Sequence, residues 1–267
     1  MIKIGVTGAL GRMGRETVKA VLNAPDMELA AAIDIQGEGT DAGLAAAGKE
    51  CGVKIETGIE KAVLSKKPDI IIDFTQPEGI FEHVQTYIKL GVKSVIGTTG
   101  LTPEQLKTIE KLVKEKNTAC FIAPNFTTGA VLLMMFAKQA AKYFKNAEII
   151  ELHHNQKKDA PSGTAVKTAE MMRENNSDFT TGNCTEKELL EGARGAEGAG
   201  NIHIHSVRMP GYIASEEVIF GAQGQILKLA HHSMDRSCYM AGVLLAVRYV
   251  NDNNGFVYGL DNIMEQG

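Results

Sequence analysis

The sequence predicts an α/β protein: a doubly wound parallel-sheet domain joined to an α+β domain with a mixed or antiparallel sheet. Three observations predict it. Short apolar runs alternate with helical patterns over residues 1–125, glycines at Gly8, Gly11 and Gly14 follow the first apolar run, and three strand-like runs crowd into residues 201–231 with no helix between them. Strand-helix alternation calls for parallel pairing through right-handed crossovers. Closely spaced strands call for antiparallel or mixed pairing.

In chain order, residues 2–6, 29–33, 70–74, 95–96 and 120–122 are the strand candidates of the first half, each a short run of apolar or β-branched residues. Helices fit between most of them. The clearest opens at Thr102-Pro103-Glu104-Gln105, with an N-cap hydroxyl, a proline at the first helical position and a glutamine at the third; Leu106, Ile109, Leu112 and Val113 then keep helical spacing. After Thr127 the pattern changes. A long apolar helix over residues 129–144 leads to a strand at 147–152, a polar connection, and a helix at 164–174. A Gly- and Glu-rich stretch (182–200) precedes strands at 201–208, 217–220 and 225–231, and residues 236–250 read as a helix that returns to the first domain. The expected division is therefore 1–126 with 236–267, and 127–235.

The 267 residues are 44% hydrophobic and 22% charged, enough apolar material for one large or two modest cores without a partner. A net charge of −4 gives no general attraction to nucleic acid or to an anionic membrane. Cys51, Cys120, Cys184 and Cys238 have neither CxxC nor metal-ligand spacing, which fits reduced thiols. With an apolar strand at its start and no long apolar segment, the chain is expected to be cytoplasmic.

The glycine turn has the chemistry of a phosphate site. It joins a strand to a helix, where small residues let backbone N–H groups approach a pyrophosphate. Tight turns use glycine for steric reasons as well, so the acidic residue that follows matters: Asp34 ends the second strand about twenty residues on, where a carboxylate can accept from ribose hydroxyls. A carboxylate there repels a 2′-phosphate, and Ile35 and Gln36 carry no compensating charge, which favours NADH. Two further turns, Gly97-Thr98-Thr99-Gly100 and Ala123-Pro124-Asn125-Phe126, end apolar strands at the edge where ligands bind in open α/β sheets.

Residues 151–165, ELHHNQKKDAPSGTA, hold the densest chemistry. A histidine can donate a proton near neutral pH. His153 and His154 are neighbours on an extended segment, so they point to opposite faces and only one is aimed at a reacting atom. Lys157 supplies a positive charge for a carboxylate, and Pro161-Ser162-Gly163-Thr164 reads as a helix start whose free N–H groups form an anion site. Together they describe a pocket for a small acid that accepts a proton. A metal site is not expected: His203 and His205 share one strand face and His231 adjoins His232, but no Cys or carboxylate accompanies them at ligand spacing.

Assembled, these residues resemble the dihydrodipicolinate reductase family, enzymes now described as 4-hydroxy-tetrahydrodipicolinate reductases. The likeness runs nearly end to end: GALGRMG (8–14), IDFTQPEG (72–79), VIGTTG (95–100), APNF (123–126), ELHHNQKKDAPSGTA (151–165), HIHSVRMPG (203–211) and HHSMDR (231–236). The resemblance implies a Rossmann-like cofactor domain and a substrate-binding and tetramerisation domain. It implies His153 as general acid, with Lys157 assisting protonation and holding substrate, and His154, Gly163 and Thr164 on the carboxylates of a small dicarboxylate. It further implies Gly8, Ala9, Leu10, Gly11, Arg12, Met13, Asp34, Gly97, Thr98, Thr99, Ala123, Pro124, Asn125 and Phe126 on the dinucleotide, a homotetramer, and NADPH accepted beside NADH. Ile35 stands where NADPH-adapted members often carry a basic residue. Two rival readings share parts of this pattern. A different nicotinamide-dependent reductase would need another chemical set, such as a nucleophilic cysteine, and a non-catalytic dinucleotide-binding regulator would have no need of His153 and Lys157.

Overall fold

The computed structural model describes residues 1–182 and 184–264. The chain forms two compact units, one of Met1–Phe126 with Tyr239–Gly267 and one of Thr127–Cys238.

The first unit begins with β1 (Ile2–Thr7), α1 (Arg12–Asn23), β2 (Met27–Ile33), α2 (Ala42–Ala47), β3 (Ile55–Glu56), α3 (Ile59–Lys66), β4 (Ile70–Asp73), α4 (Ile80–Lys89), β5 (Lys93–Ile96), α5 (Pro103–Lys116) and β6 (Ala119–Ile122). These strands lie in the order β6-β5-β4-β1-β2-β3, every pair parallel. The chain reverses direction across the sheet between β1 and β4, the switch point at which open α/β sheets bind ligands. β4 and β6 are buried at every position, as strands covered on both faces must be. One face packs Ile71, Ile96 and Ile122 against Val84, Tyr87 and Ile88 of α4 and Ile109 and Val113 of α5. The start of α5 is the expected capping box: Gln105 N–H donates to the Thr102 hydroxyl (3.3 Å), and Thr102 N–H donates to the Gln105 side chain (2.9 Å).

The second unit comprises α6 (Thr128–Ala140), β7 (Asn146–His153), α7 (Gly163–Asn175), β8 (Ala196–Glu197), β9 (His203–Arg208), β10 (Ala214–Ala222) and β11 (Gln225–Ser233). The sheet order is β11-β10-β7-β9-β8; β7 and β9 are parallel and the other pairs antiparallel, so the sheet is mixed. Ile149, Ile204, Val218 and Phe220 point to one face and pack on Leu133, Ala137, Ala169 and Met172 of α6 and α7. Alternation turns Ile150, Leu152, Ile219 and Ile226 to the other face. Ile226 there is 71% exposed. α6 is shorter than its apolar run, and residues 141–143 leave the helix as a turn.

Arg236 to Cys238 group with the second unit. The Thr127 hydroxyl and the Cys238 thiol, at that unit's two ends, lie 3.8 Å apart. The chain then re-enters the first unit as α8 (Met240–Asp252), β12 (Gly255–Tyr258) and α9 (Asp261–Met264). β12 adds a seventh strand, parallel to β6. Lys93 on β5 donates to the Val250 and Asn251 carbonyls (2.7 and 2.8 Å), closing the end of α8 onto the sheet. β3 and β12 were not among the expected strands. Two residues show no periodicity, and a four-residue edge strand after an Asn-rich turn carries little.

Candidate active site

The carboxyl ends of β1, β2, β4, β5 and β6 share one edge of the parallel sheet, and four of the predicted clusters lie on it. The Gly8–Met13 segment leaves β1. Gly8 has φ +79°, and a Cβ on it would stand 2.6 Å from the Phe74 carbonyl oxygen. A Cβ on Gly14 would stand 1.9 Å from the Gly8 carbonyl oxygen, so only glycine lets α1 seat this close beneath the turn. Gly11 caps α1 without a side-chain bond, leaving first-turn N–H groups and the positive end of the helix dipole for an anion. Asp34, just past β2, accepts from Leu10 N–H (2.9 Å) and Gln36 N–H (3.2 Å), which ties the carboxylate to the glycine turn and leaves lone pairs for two hydroxyls.

Gly8, Leu10, Gly11, Asp34, Ile35 and Gln36 line a cavity of about 640 Å³ with Phe74, Thr75, Gln76 and His83. A tight backbone turn that only glycine permits at Gly8 and Gly14, beside a carboxylate and an apolar slot, fits the pyrophosphate, ribose and adenine of a dinucleotide. Gly97 N–H donates to the Asp73 carbonyl (2.9 Å), and Ala123 N–H donates to the Ile96 carbonyl (3.1 Å), so the turns after β5 and β6 continue the same edge. The Phe126 ring is buried against Phe74 and Phe121 at centroid distances of 6.0 and 5.9 Å, which leaves its backbone rather than its ring to meet a ligand.

Asp73, which the sequence offers only within a family string, organises this edge together with Tyr87 and His83, which no motif marks. The buried Asp73 carboxylate accepts from Thr75 N–H and hydroxyl (2.9 and 2.7 Å), the Tyr87 hydroxyl (2.7 Å) and the Thr98 hydroxyl (3.3 Å). Its Oδ2 is also 3.1 Å from His83 Nδ1, and Tyr87 is 3.1 Å from the Thr7 hydroxyl. Burial, and then the Asp73 charge, pushes the Tyr87 hydroxyl well above its usual range, so it stays a donor. One charge thereby fixes the ends of β1, β4 and β5 together. An acidic residue ending an otherwise apolar run was the available signal.

In the second unit, His153 is the last residue of β7. It shares the buried face with Glu151, and its Nδ1 lies 2.5 Å from Glu151 Oε2. Arg208, at the end of the neighbouring β9, donates to both Glu151 oxygens (2.8 and 2.7 Å). Burial raises the Glu151 carboxyl, but Arg208, Ser206 and His153 outweigh it and hold the group below the usual carboxylate range. His153 is pulled below its ordinary value, first by burial and further by the Lys157 and Arg208 charges, against the opposing pull of Glu151. His154 is held separately: its Nδ1 accepts from Gln156 N–H (3.2 Å).

Ser162 caps α7 by accepting from Ala165 N–H (3.2 Å). Gly163 and Thr164 then present first-turn N–H groups, and open space faces Gly163. The structure therefore joins His153 to the α7 anion site through Glu151, which also accepts from Ser162 N–H (3.2 Å). Lys157 differs from the simple expectation. Its ammonium bonds both oxygens of Asp159 at 2.7 Å, so an arriving carboxylate must replace an exposed aspartate.

Models of the N-terminus and the C-terminus of dihydrodipicolinate reductase match residues 2–126 and 129–264. The chain belongs to the dihydrodipicolinate reductase family. Among relatives of this family, 4-hydroxy-tetrahydrodipicolinate reductase of Synechococcus elongatus is 48% identical over 98% of each chain. That of Listeria welshimeri is 47% identical over 99% of this chain and all of its own. A solved dihydrodipicolinate reductase from Paenisporosarcina sp. TG-14, bound to dipicolinate, superposes with a TM-score of 0.87 at 43% identity, covering 98% of this chain and 99% of that one. Dihydrodipicolinate reductases use a nicotinamide cofactor, in keeping with the glycine cradle.

Proposed function

We propose that this chain reduces 4-hydroxy-tetrahydrodipicolinate to tetrahydrodipicolinate with loss of water, in the diaminopimelate route to lysine, in the cytoplasm. The observation that carries the proposal is His153, braced at Nδ1 by a buried carboxylate and set in the same unit as a helix N-terminus suited to carboxylates. The solved relative's dipicolinate is a small planar dicarboxylate of the kind such a pocket takes.

A reduced nicotinamide, held by Gly8–Met13, Asp34, Gly97–Thr99 and Ala123–Phe126, supplies a hydride when bound. The chain's own residues do the rest. His154, Gly163 and Thr164 bind the substrate carboxylates, and Lys157 exchanges Asp159 for one of them. After water leaves, reduction of the conjugated cyclic imine needs one hydride at C4 and one proton on the resulting enamine; His153 gives that proton from Nε2. Two negative charges beside it favour the imidazolium, so substrate binding arms the acid. The test is loss of NADH absorbance on adding the cyclic imine to purified protein. Tight NADH binding without turnover would favour a non-catalytic regulator.

NADH is the preferred donor and NADPH is also accepted. Asp34 repels a 2′-phosphate, and Ile35, 91% exposed at the cavity, offers no counter-charge. Ile35→Arg is expected to raise kcat/KM with NADPH by about tenfold or more, the worth of one charge-assisted hydrogen bond. An unchanged NADH-to-NADPH ratio would sink this reading.

The open face of the second unit's sheet, with Ile150, Leu152, Ile219 and Ile226, supports assembly as a homotetramer through that surface. Light scattering is expected to give four times the 28.7 kDa chain mass, and a monomer at micromolar concentration would refute it.

A further inference from the structure

We propose that Glu151, locked by Arg208, is the positioning residue that fixes His153 in its Nδ1–H form and turns Nε2 to the substrate. The inference rests on the reading of His153 as the proton donor. Glu151 sits on β7 where Ile149, two residues before it on the same face, is a plain core side chain. Packing alone asks for another such residue, because burying a carboxylate is costly unless it is fully paired.

Glu151 is fully paired, and the pairing has a direction. Oε1 accepts from Arg208 Nη2 (2.7 Å) and Ser162 N–H (3.2 Å); Oε2 accepts from Arg208 Nη1 (2.8 Å) and stands 2.5 Å from His153 Nδ1. A carboxylate held by a two-pronged guanidinium is ionised and can only accept. Nδ1 must therefore be the donor, and in the neutral ring Nε2 then carries the lone pair. A proton arriving at Nε2 makes an imidazolium whose charge Glu151 balances, and that proton faces outward for transfer.

The same pair places the other parts of the pocket. Through Ser162, Glu151 sets the first turn of α7 and hence the N–H groups of Gly163 and Thr164. Arg208 Nη2 also donates to the Asp159 carbonyl (2.8 Å), and Met209 N–H donates to the His153 carbonyl (3.0 Å), so β9 holds both the Lys157 loop and the end of β7. Besides Glu151 and Arg208, the titratable groups around His153 are Lys157 and Asp159 on the loop, Glu216 opposite Glu151 on β10, and His231 opposite Glu216 on β11.

Glu151→Gln keeps the shape and removes the charge. The kcat-versus-pH profile of this variant is expected to lose activity on its alkaline side about one to three pH units lower than the wild type, since an adjacent opposite charge moves a pKa by that much. kcat near neutrality should fall by about tenfold or more, with the KM for the cyclic imine changing less than kcat. A second measurement needs no variant: 15N-histidine NMR of the wild-type protein should show His153 protonated at Nδ1. An Nε2-protonated ring, or a Glu151→Gln profile that overlays the wild type, overturns the proposal. His153→Ala separates the two claims. If it is inactive while the Glu151→Gln profile is unmoved, the positioning role alone falls; if it keeps wild-type kcat, the acid assignment falls and takes this inference with it.

Discussion

His153→Ala is expected to lower kcat/KM for the cyclic imine by about 10²- to 10⁴-fold, the usual worth of a positioned general acid. The loss should lie in kcat. The α7 N–H groups proposed to bind the carboxylates are backbone and stay in place, and the glycine cradle belongs to the other unit. Lys157→Ala should behave differently, raising KM for the dicarboxylate as well as lowering kcat, since in the proposed mechanism its ammonium exchanges Asp159 for a substrate carboxylate. The wild-type pH dependence follows from the direction of the His153 shift. Burial pulls that group below its ordinary value of 6.5. The reaction needs the protonated form, so kcat/KM, which reports the free enzyme, should fall as pH rises through a value below about 6.5. A bound dicarboxylate favours the imidazolium, so kcat should hold to higher pH than kcat/KM. A kcat/KM that instead rises with pH through this range, or a His153→Ala enzyme of wild-type rate, would sink the assignment.

The legible parts of this chain are those whose cause is local. Thr102 and Gln105 announce α5 because both halves of a capping box lie within four residues. Ser162 announces α7 as a one-sided N-cap whose partner, Ala165 N–H, is three residues on, and the glycine triplet with Asp34 marks a phosphate turn because each residue answers a steric or electrostatic demand of that turn. What the sequence hid is set by partners far away along the chain. Glu151 looks like one polar letter in a strand until Arg208, 57 residues later, arrives on the neighbouring β9 and makes it a buried ion pair. The parallel pairing of β7 with β9 inside an otherwise antiparallel sheet is equally invisible to local alternation, which has the same period in both arrangements. Asp73 reads as the end of an apolar run, yet its acceptors are filled by Thr75, Tyr87 and Thr98 from three separate segments. Lys157 reads as a positive charge suited to a carboxylate, and its pairing with Asp159 depends on the turn the loop takes.

Glu216→Gln is expected to stabilise the protein at pH 8 and to change little at pH 5. Glu216 lies on β10 directly across from Glu151, with the Thr168 hydroxyl 2.6 Å from its Oε1. Among the described residues only one of the two carboxylates is paired with a cation: Arg208 takes Glu151, while Glu216 has the Thr168 hydroxyl. Burial raises the Glu216 carboxyl to about 7; the Thr168 bond opposes the rise, and the Glu151 charge adds to it. In the unfolded chain the same group titrates near 4.5. The folded state thus binds the proton more tightly, so the stability tied to it is fully present below pH 4.5 and is lost as pH rises through about 7. At about 1.4 kcal/mol per pH unit, the cost of ionising Glu216 in place comes to about 3 kcal/mol at pH 8. A glutamine amide matches the neutral acid in shape and in donor and acceptor count, and it has no charge to lose. Urea unfolding of both proteins at pH 5 and pH 8, at one protein concentration so that assembly contributes equally, measures the difference. A substitution that destabilises by the same amount at both pH values would mean that Glu216 is ionised throughout. The Arg208 charge would then be shared between the two carboxylates instead of being held by Glu151, and the bracing of His153 would need another source.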